Sequence, residues 1–176
     1  MKYPLTDSPN KQTISETYLP FTDGGIDDCR APATVQLGVY WREHYAKAQG
    51  VPRYKDVELM DLYKIAHLLA VKDVLNGGED FVNRYWGTEL VQALGFEGTG
   101  ILLSEYEPDD MRIKLFKRYR GVASSHQPAS LRNQIEHLQH RNFVTYEVLH
   151  VPFMDPARHQ ISQIVSVFQF NIPLQR

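Results

Sequence analysis

Between residues 69 and 88 the chain reads LAVKDVL, NGGED, FVNRYWGT, and the Asn76-Gly77-Gly78 triplet limits what the flanks can become. An asparagine followed by two glycines accepts the positive φ values of a tight turn. β-Branched or aromatic residues (Val71, Val74, Phe81, Val82, Tyr85, Trp86) stand on both sides. A β-hairpin is therefore predicted. Gly87-Thr88 closes its second strand, and the Thr88 hydroxyl is placed to cap a helix carrying Leu90, Val91 and Leu94.

Composition bounds the function classes. With 176 residues, 43% of them hydrophobic and 23% charged, the chain is sized for one domain with an appendage. A chain of that size buries roughly 70% of its unfolded surface and needs no staple. A net charge of -2 supplies no basic field for nucleic acid or anionic lipid. No apolar run approaches the ~20 residues of a membrane span. The opening MKYPLTDSPNKQ has neither a cationic start nor an apolar segment. The single cysteine, Cys29, has no partner for an internal disulfide, and a cytoplasmic location is expected.

Residues 1–31 are rich in Pro, Thr, Ser, Asp and Gly, with no apolar period, and are predicted to be a tail, in part disordered. An arm docked through Tyr18, Leu19 and Phe21 is the alternative. Asp27 and Asp28 beside Cys29 disfavour a thiolate, so a reactive cysteine is not expected. A helix over residues 32–49, within a flanking segment 32–50, starts on Pro32, with Gly50 just past its end and Pro52 beyond. Leu37, Trp41, Tyr45 and Ala48 form one stripe, and Val35, Val39, Ala46 and Tyr40 widen the apolar arc. Such a helix either is absorbed by its own sheet or also meets a partner, with Leu37, Trp41 and Tyr45 as the interface.

The main domain is expected over 51–172, with a short tail at 173–176. A short helix over 56–68 leads into the hairpin, and ELVQALG forms a helix ended by Gly95. A longer helix over 107–121 has Pro108, Asp109 and Asp110 in its first turn and Lys117, Arg118 and Arg120 in its last, as the dipole favours. Met111, Leu115, Tyr119 and Val122 line one of its faces. From Pro128 onward the period becomes two, giving strands over 130–138, 143–153 and 160–170. In the last, Ile161, Val165 and Val167 share one side and Ile164, Phe168 and Phe170 the other, so both faces are covered. The predicted fold is α+β: a five-stranded antiparallel sheet, helices inserted between strands two and three, and an N-terminal flanking helix.

That order resembles a PAS domain, and more closely the single-PAS proteins of alphaproteobacteria. The residues that carry the resemblance are Tyr40-Trp41, Asp73-Val74, the run FVNRYWGTELVQALGFEGTG with its glycine loop from Gly95 to Gly100, and TYEVLHVPF. It spans residues 35–171. His67 and Leu59 stand where the family pattern often has proline. The resemblance implies a sensory or regulatory module in which a ligand or partner shifts the sheet and a flanking helix relays the shift. A homodimer through the N-terminal helix and a separate protein effector follow from it.

His137 and His140 are three apart at a strand end, where side chains diverge, and no acidic or thiol cluster completes a metal site, so none is expected. In some PAS domains haem hangs from a histidine on the long helix, and 107–121 contains none; His126 lies beyond it. The cysteine-dependent flavin photochemistry of related domains lacks its cysteine. No cofactor is assigned beyond an unidentified small-molecule ligand. The alternative is an isomerase- or dehydratase-like enzyme on a cone-shaped α+β fold, using Asp73 and His150 as acid and base. For a ligand cavity, strand alternation nominates Asn83, Tyr85, Val148, Ser166 and Phe168, with Leu115 and Tyr119 opposite.

Overall fold

The structure, a computed structural model, describes residues 21–135 and 144–171. Strand β1 (Phe21–Gly24) precedes helix α1 (Pro32–Ala48), and the hairpin strands β2 (Leu69–Leu75) and β3 (Asp80–Trp86) follow. Next come α2 (Thr88–Leu94), α3 (Asp109–Ser125), and strands β4 (Ala129–Gln134), β5 (Thr145–Asp155) and β6 (Gln160–Phe170). Among the described residues these strands form a single sheet in the order β1-β4-β5-β6-β2-β3, every neighbouring pair antiparallel. The five predicted strands share one antiparallel layer with the helices inserted after the hairpin, which is the α+β architecture expected.

The glycine turn accounts for the hairpin. Asn76, Gly77 and Gly78 all take positive φ (47°, 69° and 105°), and the amides of Gly78 and Glu79 both donate to the Leu75 carbonyl. The last pair of the ladder is Leu75 with Asp80. Beyond it, β3 would be an open edge, but the Asn83 amide donates to the Ile101 carbonyl and the Gly100 amide to the Asn83 carbonyl, so the glycine loop covers it.

Two layers of side chains cover the sheet. On one face α1 lays Leu37 and Trp41 against Leu149, Val151, Val165 and Val167. On the other, α3 packs Tyr119 and Val122 with Phe81, Leu103, Ile161 and Ile164. The N-terminus of α1 is pinned by Glu147, a wholly buried carboxylate on β5. It accepts hydrogen bonds from the amides of Arg30 and Ala31 (2.9 and 2.8 Å), from the Thr34 hydroxyl, and from Arg132 at 2.6 Å. Burial alone would raise the Glu147 pKa, but the bonds from Thr34, Ala31, Arg132 and Arg30 outweigh it and hold the carboxyl below its ordinary range.

Several expectations are corrected. The tail predicted over 1–31 is part of the domain from residue 21: Phe21 pairs with Arg132 and Gly24 with Ser130, adding a sixth strand at the sheet edge. Residues 1–20, the 136–143 portion of the expected third and fourth strands with His137 and His140, and 172–176 lie outside the described residues. Cys29 is buried and its thiol is pushed up to about 11, first by burial and next by Glu147, so Asp28 is a minor cause and Asp27 none. The segment 56–68 winds as 3₁₀ turns at Tyr54–Asp56 and Leu59–Leu68, because Val57 and Glu58 between them are extended. The cap of α2 is Gly87, with Thr88 already the first helical residue and no side-chain cap bond.

Helix α3 runs four residues past the predicted Gly121, ending at His126 in the left-handed region. Val122, 2% exposed, continues the apolar stripe and carries the helix on, so Lys117, Arg118 and Arg120 are not in the last turn. Ile161 joins Ile164 instead of Val165, because a bulge at Phe153/Met154 breaks the alternation of the facing strands.

Candidate functional site

The face of the sheet under α3 opens into a cleft of about 750 Å³. Its inner wall is a chain of aromatic contacts. The Trp86 ring lies 5.1 Å from Phe96, and Phe96 meets Tyr106 edge-on at 5.5 Å. Trp86 Nε1 donates to the Phe96 carbonyl at 3.1 Å, which fixes the indole's orientation. Gly98 is required here by close approach: a Cβ at that position would lie 2.7 Å from Trp86 Cδ2. Asn83 braces the wall from behind, donating through Nδ2 to the Gly98 carbonyl (2.8 Å) and the Tyr106 hydroxyl oxygen (2.5 Å). Burial pushes the Tyr106 phenol up to about 12, against the lowering effect of that Asn83 bond. The remaining walls come from α3, through Leu115 and Tyr119, and from β6, through Phe168 and Phe170, whose rings stack at 5.9 Å.

Behind this wall lie two buried polar side chains whose end atoms have no hydrogen-bond partner among the described residues. Lys72 on β2 is 2% exposed and His150 on β5 is 1% exposed, and Lys72 Nζ and His150 Nε2 accept or donate no hydrogen bond. Nζ sits 4.7 Å from the Tyr119 ring centroid and 5.6 Å from that of Trp86, held only by the negative faces of the two rings. Burial draws the Lys72 pKa from 10.5 down to about 7. His150 meets Tyr119 edge-on at 5.1 Å, and its Nδ1 is 2.6 Å from the Ser166 hydroxyl. Burial first, then Arg118 and Lys72, lowers the imidazole well below 6.5.

The nominated residues are distributed unevenly around this cleft. Leu115, Tyr119 and Phe168 line it. Asn83 supports the wall, and Ser166 orients His150. Val148, paired with Leu131 and Phe168, is covered by its neighbours and is not a lining residue. Tyr85 is not in the site. The register slips between Val71 and Lys72, so that Val71 faces Tyr85 and Lys72 faces Asn83. Arg84 is the extra residue, and the bulge sends Tyr85 to the other side, where its hydroxyl donates to the Ala66 carbonyl at 3.0 Å.

Asp73 and His150 do not form an acid and base pair. Adjacent strand residues project to opposite faces, and Asp73, next to Lys72, points away from the cleft. Its carboxylate accepts from Arg84 at 2.9 Å and from Gln163 Nε2 at 3.1 Å. The interface residues are also corrected: Leu37 (0% exposed) and Trp41 (4%) are absorbed into the core, and Trp41 Nε1 donates to the Pro152 carbonyl at 2.8 Å. Tyr45, with Val35 and Val39, remains on the outer surface of α1. Among the described residues no three His, Cys, Asp or Glu side chains are grouped, and no helix is long and apolar enough to cross a membrane.

No family model matches the chain, and no curated protein matches it at a significant level. One solved structure with a similar arrangement is a PAS-B domain. It belongs to a variant of Drosophila melanogaster Cycle with bound glycerol, 13% identical, with a TM-score of 0.41 over 58% of this chain and 97% of that one.

Lys72, Trp86, Phe96 and Tyr106 were missed as site residues by sequence reasoning. The signal for Lys72 was present: a lysine within LAVKDVL shares the strand face of Ala70 and Val74, and an inward-facing cation in an apolar strand marks a special position. Phe96 and Tyr106 stand in irregular segments without a period, where alternation gives no guidance.

Proposed function

We propose that this chain is a sensory or regulatory module of the PAS type, which takes a small ligand in the cleft under α3 and passes its occupancy to a protein partner. The observation that carries the reading is the cleft itself, about 750 Å³ and walled mainly by aromatic and aliphatic side chains. That is the size and lining of a small-molecule site. Its contents are separated from α1 by a single sheet. Output is assigned to the outer side of α1, where Val35 (41% exposed), Val39 (52%) and Tyr45 (39%) are uncovered and a second copy of the chain packs. A separate effector protein reads the dimer.

Native mass spectrometry of the purified protein tests the first part. A retained metabolite that leaves on denaturation is expected, and an apo mass that no metabolite extract shifts argues against it. Size-exclusion chromatography with light scattering tests the second, since Val39→Glu should convert a dimer to a monomer. A wild-type protein that is monomeric at all concentrations removes the dimer.

A further inference from the structure

Lys72 and His150 are buried against the same tyrosine, Tyr119, and among the described residues the end atom of each has no hydrogen-bond partner. Resting on the proposed ligand cleft, we infer that Lys72 and His150 form the head-group site for an apolar monocarboxylic acid whose hydrocarbon or aromatic body occupies the aromatic-walled cleft.

Four observations converge on that ligand. First, Lys72 Nζ and His150 Nε2 are the buried side-chain polar atoms without partners among the described residues, and both pack against Tyr119, one on its face and one at its edge. An unpaired buried donor costs about 1–3 kcal/mol, more for a charged one, and a carboxylate satisfies two donors at once. Second, the polarity suits an acceptor. When the Ser166 hydroxyl donates to Nδ1 at 2.6 Å, Nε2 carries the ring proton and is a donor, as Nζ always is when protonated.

Third, the cleft rim is cationic: Lys114, Lys117 and Arg118 line it with Asp110 as the one acidic group among them. That balance draws in an anion. Fourth, most of the remaining lining is rings and aliphatic chains, with Ser125, Gln127, Asn133 and Gln134 as its neutral polar members, so an apolar tail matches more of the wall than a dicarboxylate or a sugar would. Tyr119 is the partition. It lines the cleft and touches both Lys72 and His150, so the acid's head group reaches them when the Tyr119 ring turns aside.

Isothermal titration with octanoate and phenylacetate, and with 1-octanol as the uncharged twin of the first, tests the inference at pH 6.5. At least one acid should bind wild-type protein ten times or more tightly than 1-octanol. Lys72→Met should lower acid affinity to that of the alcohol while alcohol binding stays the same, with circular dichroism showing the variant folded. His150→Phe should weaken the acid in the same direction. Equal binding of acid and alcohol, or a Lys72→Met variant that keeps the preference, overturns the head-group site while leaving the cleft as a site for neutral guests. Binding of none of the three at 1 mM overturns it too, and the native mass measurement then decides independently whether the sensory reading survives.

Discussion

Replacing Lys72 with methionine should make the protein more stable at neutral pH, and the gain should fade as the pH rises. In the folded chain the ammonium is fully buried, with no hydrogen-bond acceptor, and its pKa falls from 10.5 to about 7. At about 1.4 kcal/mol per pH unit, that displacement corresponds to about 5 kcal/mol against the protonated form. By linkage that displacement already contains whatever the Tyr119 and Trp86 rings return, so methionine, which fills nearly the same volume, should recover up to about 5 kcal/mol. Below about pH 7 both folded and unfolded chains are protonated at Lys72, and the penalty is full. Between about 7 and 10.5 the unfolded chain holds the proton and the folded one does not, so wild-type stability rises with pH. The gap to Lys72→Met therefore narrows by up to about 1.4 kcal/mol per pH unit in that window. Urea denaturation of both proteins at pH 7, 8 and 9 measures it, and Tyr106 and Tyr119, with phenols raised by burial, affect both alike. A Lys72→Met protein no more stable than wild type at pH 7, or a gap that stays constant with pH, would refute the reasoning.

Other consequences follow from the same packing. Glu147→Ala should cost about 3–5 kcal/mol in a urea titration, because Arg132 and the amides that start α1 lose their shared acceptor. Since the Glu147 pKa is lowered on folding, its contribution is present above the ordinary carboxylate value and lost as pH falls through the folded one, so wild type and variant should converge in acid. Gly98→Ala should displace the Trp86 ring at a cost of about 1–3 kcal/mol, visible as a changed near-ultraviolet circular dichroism spectrum; an unaltered indole environment would count against the close approach. Asp73→Asn should change stability by less than about 1 kcal/mol, as its partner Arg84 is half exposed, and should leave acid binding in the cleft untouched.

Much of the fold was legible because its signals are periodic. The asparagine-glycine turn, the alternation in 160–170 and the four-residue spacing of Leu115 and Tyr119 each state which side of an element is apolar, and the sheet and helices assemble accordingly. What escaped was wherever that period breaks. A single extra residue at Arg84 moved Tyr85 out of the cleft, and a second at Ser162, next to Ile161 on β6, moved that side chain to the other layer. Bulges change the count of residues on one strand relative to its neighbour, and one strand read alone does not contain that comparison. The stripe on α1 was recognised, but Trp41 and Leu37 were given to a partner because amphipathicity fixes how wide an apolar arc is and not which body covers it. β1 was missed because a four-residue edge strand has too few positions to show alternation.

β5 runs through the middle of all this with a different job on each side. Glu147 holds the start of α1 by its amides, and three residues later His150 stands behind the cleft wall on the opposite surface. About 10 Å of extended strand is all that separates the carboxylate that seats α1 from the imidazole behind the cleft. If the cleft takes a ligand as proposed, that short span is the route by which its occupancy would reach α1.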